Sequence, residues 1–182
     1  MSPVHSAAEL LDSLLRLGAT HLVGIPDNGS AAFFESVRTH PDIHLVTVTR
    51  EGEAFALASG LWIGGAAPVV AIQNTGLLES GDALRGTSVR MGIPLLCLIG
   101  YRGYASMKHH GIDPFKRPDS ADTLRRPDVD STALLTEPTL EAWGIPYAVL
   151  EPGQEREIVV AAWNRAIDED RPVALLLAHA TA

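Results

Sequence analysis

Six short runs dominated by Val, Ile and Leu do most to narrow what this chain can become. They are "HLVGIP" (21–26), "HLVTVT" (44–49), "PVVAIQN" (68–74), "PLLCLIG" (94–100), "YAVLEP" (147–152) and "PVALLL" (172–177). Most lack the in/out alternation of a half-exposed strand, so they predict strands covered on both faces. Helix-like segments lie between them. In "SAAELLDSLLRLG" (6–18), Ala8, Leu11, Leu14 and Leu15 form one stripe and Gly18 suits a C-terminal cap. "SAAFFESVRTH" (30–40) offers Ser30 as an N-cap, and further helices are expected after residue 51 and over 76–91. "STALLTEPTLEAWG" (131–144), which Pro138 should break or bend, and "GQEREIVVAAWNRAIDED" (153–170) complete the set. Such alternation implies βαβ units with right-handed crossovers: an α/β fold, a single three-layer domain with a six-stranded parallel sheet flanked by helices.

The 182 residues suit one domain with a sizeable core, and no repeat or linker divides them. A net charge of −8 argues against sequence-independent binding to nucleic acid or anionic membrane. The single cysteine, Cys97, lies in an apolar run and reads as a buried thiol, which fits a reducing, cytoplasmic setting. No apolar run approaches membrane-spanning length and no signal peptide opens the chain. Residues 101–130 stand apart, with six of the fourteen Lys and Arg residues and the pair His109–His110. A connection of that length reads as a functional or solvated loop.

Several chemistries are missing. There is no G-x-G-x-x-G, no G-x-x-x-x-G-K-[ST] and no G-x-S-x-G. His40 and His44 have metal-like spacing, but Pro41 and the strand beginning near His44 deny them a shared helical face. No protein-only metal site is expected. In parallel sheets ligands collect beyond the carboxyl ends of the strands. That rule selects "PDNGS", "REGE", "QNTGL" and the segment after residue 100. Glu51 and Glu53 open the helix of "REGEAFALASGLWIGG", where acid suits a helix N-terminus on its own account. Three polar loops converging on one carboxylate would make a ligand site as well.

The order and spacing of "GIPDN", "REGEAFALASGLWIGG", "VVAIQNTGL", "LIGYRG", "GIPYAVLE" and "RPVALLL" give the chain a resemblance along nearly its whole length. It resembles the pyrimidine-binding domain of thiamine-diphosphate-dependent decarboxylases, most of all the α subunit of sulfopyruvate decarboxylase and the N-terminal half of phosphonopyruvate decarboxylase. The family's acid precedes a helical Gly by nine residues, so the resemblance assigns that role to Glu51, nine before Gly60, and leaves Glu53 solvated or at a subunit contact. In that family the carboxylate binds the aminopyrimidine ring nitrogen and favours the imino tautomer, whose nitrogen takes the thiazolium C2 proton. Glu51 would have to share a proton near neutral pH, which calls for a dry interface to offset the helix N-terminus. The small residues Ala54, Ala58 and Gly60 would let a partner pack closely.

The resemblance further implies cofactor contacts from Pro26, Gln73, Asn74, Thr75 and Gly76, and substrate contacts from Asp27, Asn28, Arg102 and His109. His110 is implied, on a looser match, as a proton donor in catalysis. Family members hold the cofactor's diphosphate and magnesium with Gly-Asp-Gly followed downstream by Asn. The nearest segment here, "SGDALRG" (80–86), lacks the second Gly and falls in a predicted helix. The resemblance therefore implies a heteromeric enzyme: an α-type chain, a β-type partner that carries Mg²⁺ and diphosphate, self-association through this domain, and a small anionic 2-oxo acid as substrate. Another 2-oxo acid, ligase chemistry, or a non-catalytic subunit that keeps the fold remain open alternatives.

Overall fold

The structure, a computed structural model, describes residues 4–182. In chain order the elements are α1 (Ala7–Arg16), β1 (His21–Gly24), α2 (Ala31–Thr39), β2 (His44–Thr47), α3 (Glu51–Ile63), β3 (Pro68–Gln73), α4 (Asn74–Glu79) and α5 (Gly81–Ala83). A π-helical turn, Leu84–Val89, leads on to β4 (Leu96–Gly100), α6 (Tyr104–His109), α7 (Ala121–Leu124), α8 (Ser131–Trp143), β5 (Tyr147–Leu150), α9 (Glu155–Glu169) and β6 (Val173–Leu177). All six strands pair in parallel, in the order β2-β1-β3-β4-β6-β5.

The four inner strands carry the apolar runs and are buried almost throughout, whereas the edge strands β2 and β5 are half exposed. One face of the sheet packs on α1, α2 and α9 through Leu10, Leu14, Phe33, Val37, Val159 and Ala162. The other packs on α3, α4, α6 and α8 through Ala54, Phe55, Leu77, Met107, Leu134 and Leu140. Cys97 is buried in this second layer, and desolvation pushes its thiol up to about 12. The chain leaves β1 for one face and β3 for the other, although the two strands are neighbours. Their carboxyl ends thus diverge and leave a crevice at the switch point of the sheet.

Four expectations about elements change. The helix expected over 76–91 starts at Asn74 and breaks into α4, α5 and the π-helical turn. Hydroxyls compete with the backbone there: Ser80 Oγ donates to the Leu77 carbonyl and Thr87 Oγ1 to that of Ala83. Pro138 does not end its helix, since α8 runs on through it to Trp143. The burial of Ala133, Leu134, Thr136 and Leu140 holds the segment in place against the local preference of proline. Residues 101–130 contain α6 and α7 and are not one loop. Ser30 sits at the N-cap of α2, but its hydroxyl bonds Asp27 and caps nothing.

Candidate active site

The turn after β1 is closed by its own side chains. Asp27 Oδ1 accepts from the Ser30 backbone N–H (2.7 Å) and hydroxyl (2.9 Å), while Ser30 Oγ accepts from the Asp27 N–H (3.0 Å). This reciprocal Asx-type turn fixes the carboxylate. Its other oxygen, Oδ2, accepts from Gln73 Nε2 at 2.8 Å, tying the β1 exit to the β3 exit across the crevice. Gln73 Oε1 in turn accepts from the Thr75 hydroxyl (3.1 Å) and from Arg102 Nη1 (3.4 Å). Arg102 Nε donates to Asp130 Oδ2 at 2.7 Å. Three strand exits are thereby joined by polar contacts.

Beside them a cavity of about 510 Å³ opens, walled in part by Asp27, Asn28, Gln73, Tyr101, Arg102 and His179. Asn28 is exposed on its rim, and Pro26 is exposed at the β1 exit without lining it. His179 follows β6, and its Nε2 lies 3.2 Å from Glu151 Oε2. The sequence reading missed His179 because it inspected the carboxyl ends of only four strands; the same rule applied to β6 would have reached "AHA".

Glu51, half-buried, opens α3 on the far side of the β3 exit and does not line the cavity. It lies on Gly76 in the first turn of α4. A Cβ at residue 76 would stand 2.1 Å from Glu51 Cγ and 2.5 Å from its Oε1, so only glycine admits the carboxylate in this position. The neighbouring acid has a different task. Glu53 Oε2 accepts from the Thr49 N–H and hydroxyl (3.0 Å each) and the Arg50 N–H (3.2 Å), a capping arrangement that holds its carboxyl below the usual range. Arg50 is paired with Glu79 at the end of α4, which also accepts from the Gly52 N–H. The start of α3 is thus fastened while Glu51 keeps its carboxylate for the space above Gly76.

Three expected site residues are placed elsewhere. The Asn74 side chain is fully buried and turned away from the surface of the turn: Nδ2 donates to the Arg102 carbonyl and to Thr136 Oγ1, both at 3.0 Å. Its role in this geometry is to bind the β4 exit to α8. His109 and His110 are exposed at the end of α6 and do not line the cavity. The helix that begins at Tyr104 carries them outward, and His110 Nδ1 lies 3.6 Å from Asp128 Oδ2. Asp128, bonded first of all by Arg126, is held at about 2. Among the described residues no group of three or more His, Cys, Asp or Glu side chains could hold a metal ion, and no helix is long and apolar enough to cross a membrane.

The geometry can be set beside known proteins. Residues 5–120 match the family described as "Thiamine pyrophosphate enzyme, N-terminal TPP binding domain". A phosphonopyruvate decarboxylase of Streptomyces viridochromogenes is 33% identical over 108 residues, 57% of this chain and 27% of its own length. The chain thus spans about a quarter of that relative. The sulfopyruvate decarboxylase subunit alpha of Methanococcus maripaludis is 23% identical over 175 residues, covering 96% of this chain and 95% of its own. Among solved structures, the benzoylformate decarboxylase of Polynucleobacter necessarius superposes with a TM-score of 0.70 at 20% identity, over 96% of this chain and 30% of that one. The thiamine diphosphate-dependent 4-hydroxybenzoylformate decarboxylase of Rhodococcus jostii RHA1 does so at 0.66 and 19%, over 98% and 31%. At that identity the likeness establishes the fold, and the family match across residues 5–120 establishes the rest: this chain belongs to the thiamine pyrophosphate enzymes, as their N-terminal TPP-binding domain.

Proposed function

We propose that this chain is the α-type subunit of a thiamine-diphosphate-dependent decarboxylase acting on a 3-substituted pyruvate, sulfopyruvate or phosphonopyruvate. The observation that carries the reading is the seat of Glu51 on Gly76, a cradle that a Cβ would fill. The donor set there fits an aminopyrimidine, because a carboxyl group above bare backbone presents one proton-sharing edge to a flat ring. Glu51, with Gly76 beneath it and the Gln73–Thr75 turn beside it, would hold that ring. The chemistry supplied by bound thiamine diphosphate is nucleophilic addition to a 2-oxo acid and an electron sink for the departing CO₂. Within the chain, Glu51 keeps a proton at the ring nitrogen, and Asp27 and Gln73 fix the crevice wall. Arg102 is braced by Asp130 and Gln73 through Nε and Nη1, which leaves Nη2 for the anionic group of the substrate. His179 adds an imidazole to the same cavity.

We assign diphosphate and magnesium to a β-type partner with Gly-Asp-Gly and a downstream Asn. The naming of the Methanococcus relative as a subunit alpha, matched along 95% of its length, supports that division. The outer side of α3 supports self-association. Its inner side is buried through Ala54, Phe55 and Ala58, yet Leu57 and Ile63 stay 39% and 63% exposed on the outside. A helix apolar all round belongs in an interface, and covering this one would also dry the space around Glu51. The test is co-expression with such a partner and measurement of CO₂ release from a panel of 2-oxo acids with thiamine diphosphate and Mg²⁺. Sulfopyruvate or phosphonopyruvate should be turned over fastest, and Glu51→Gln should assemble but lose most turnover. Parental turnover by an assembled Glu51→Gln enzyme refutes the assignment.

A further inference from the structure

Helix α8 buries two polar side chains in succession, Thr136 and Glu137, both at 0% exposure. Each grips a different strand exit. Thr136 Oγ1 donates to the Thr132 carbonyl (2.8 Å) and accepts from Asn74 Nδ2, whose other bond goes to the Arg102 carbonyl. Glu137 Oε1 accepts from the Tyr101 hydroxyl at 3.0 Å, and Oε2 has no partner among the described residues. Tyr101 is the first residue after β4; it walls the cavity and stacks on Tyr104 with ring centroids 4.8 Å apart. Two residues on, Gly103 has φ 88°, and a Cβ there would come within 2.7 Å of Asp130 and 2.8 Å of Ala133. The β4 exit is therefore laid directly onto α8, with Arg102 between its two anchors.

The groups facing Glu137 are Tyr101 from the β4 exit, Tyr147 from β5, Glu141 from its own helix and Asp113 from the segment after α6. None is a cation. Burial raises the Glu137 carboxyl, its largest influence, and keeps the Tyr101 and Tyr147 hydroxyls protonated. The Tyr101 hydroxyl donates to this carboxyl in either protonation state, whereas ionising Glu137 would leave charge on a buried Oε2 that has no partner among the described residues.

We propose that Glu137 is a positioning residue of the cavity: its hydrogen bond to Tyr101 fixes the β4 exit so that Arg102 is presented to an anionic substrate. The kinetic part of this inference rests on the proposed function; the structural part does not.

Measurements on the chain by itself and on the assembled enzyme separate them. In the chain by itself, the parent should lose stability relative to Glu137→Gln as pH rises above the usual carboxyl value of 4.5. The native state then holds a proton that the unfolded chain releases, and groups shared by both proteins cancel in the difference. Glu137→Leu, which removes the acceptor, should speed amide hydrogen exchange about tenfold at Tyr101 and Tyr104, whose N–H groups donate to the Leu177 and Tyr101 carbonyls. In the assembled enzyme, Glu137→Leu should raise KM for the 2-oxo acid with kcat within about twofold, and Glu137→Gln, which keeps an acceptor for Tyr101, should not. Identical stability profiles for parent and Glu137→Gln, or unchanged exchange in Glu137→Leu, overturn the inference. If both chain-level results hold but no 2-oxo acid is turned over, the substrate reading fails and the anchoring of Arg102 stands.

Discussion

Glu51 and Gly76 share space that a single methyl group would close: a Cβ on residue 76 would lie 2.1 Å from Glu51 Cγ and 2.5 Å from its Cδ. The start of α3 is tied to the end of α4 through Arg50, Gly52 and Glu79, which holds the two helices together beside this contact. Gly76→Ala should therefore move the Glu51 side chain. Overpacking costs about 1–3 kcal/mol of stability. A displacement near 1 Å at a catalytic carboxylate costs about a hundredfold in turnover. Chemical denaturation of the chain and CO₂ release by the assembled enzyme measure the two. A variant that keeps both parental values would show that the contact constrains nothing.

Gly60 sits on the same helix and behaves oppositely, since a Cβ there meets nothing within 4 Å. In the isolated chain Gly60→Ala should stabilise α3 by up to about 1 kcal/mol, the helix-propensity difference. Under the proposed interface it should also weaken self-association, because a methyl group holds the facing surface off. Thermal unfolding and sedimentation of the same variant read the two effects. A more stable variant with unchanged assembly would remove this part of α3 from the interface.

The six strands were legible because inner parallel strands must be apolar on both faces, and "PVVAIQN" or "PLLCLIG" has no other economical home. Glu51 was singled out by the family resemblance, whose frame sets the acid nine residues before Gly60, although the structure gives that glycine no contact and gives Gly76 the close one. What the sequence hid were choices settled by tertiary packing. Asn74 reads as a loop residue facing a ligand, but its side chain is buried and its Nδ2 is taken by Arg102 and Thr136, residues 28 and 62 positions away, while Oδ1 has no partner among the described residues. Pro138 reads as a break or a bend, and burial of its neighbours on α8 keeps the helix from breaking there. His109 and His110 read as a loop pair near the substrate until α6 turns them outward. No local pattern announces His179, whose relevance comes from the strand it follows.

Acid should loosen the region where the chain's beginning meets its end. His5 is fully buried; its Nδ1 faces Glu155 Oε1 at 3.1 Å and its Nε2 accepts from the His179 N–H at 3.3 Å. That arrangement needs a neutral ring with its proton on Nδ1, and burial lowers the His5 value from 6.5. His21, beside His44, is lowered as well, again mainly by burial. The unfolded chain therefore binds more protons than the native one just below pH 6.5. The stability these rings contribute is complete above pH 6.5 and is lost as pH falls toward their native values. Glu155, bonded by His5 and by the Gly153 N–H, is lowered despite its burial, and adds a further loss below 4.5. Denaturant titrations between pH 7.5 and 5 should show the decline, and His5→Gln should flatten part of it. An unchanged slope in that variant would mean that His5 does not titrate on unfolding.

The Asp27–Gln73 bond allows a sharper test of the crevice. Gln73 donates to the Asp27 carboxylate while accepting from Arg102 and Thr75, so its side chain speaks to all three strand exits. Gln73→Glu preserves shape but places two carboxylates where a 2.8 Å hydrogen bond stood. Arg102 Nη1 offsets only part of the repulsion, because its contact is long, at 3.4 Å, and the guanidinium already serves Asp130. The variant should be about 1–2 kcal/mol less stable than the parent at pH 7. The gap should narrow as pH falls toward 4, where the facing carboxyls can share a proton. Comparing the denaturation of the two proteins across that range isolates the pair, since every other titrating group is common to both. A constant gap would mean that the two loops part when the bond is lost, and the crevice would then depend on the β-strands and not on its polar tie.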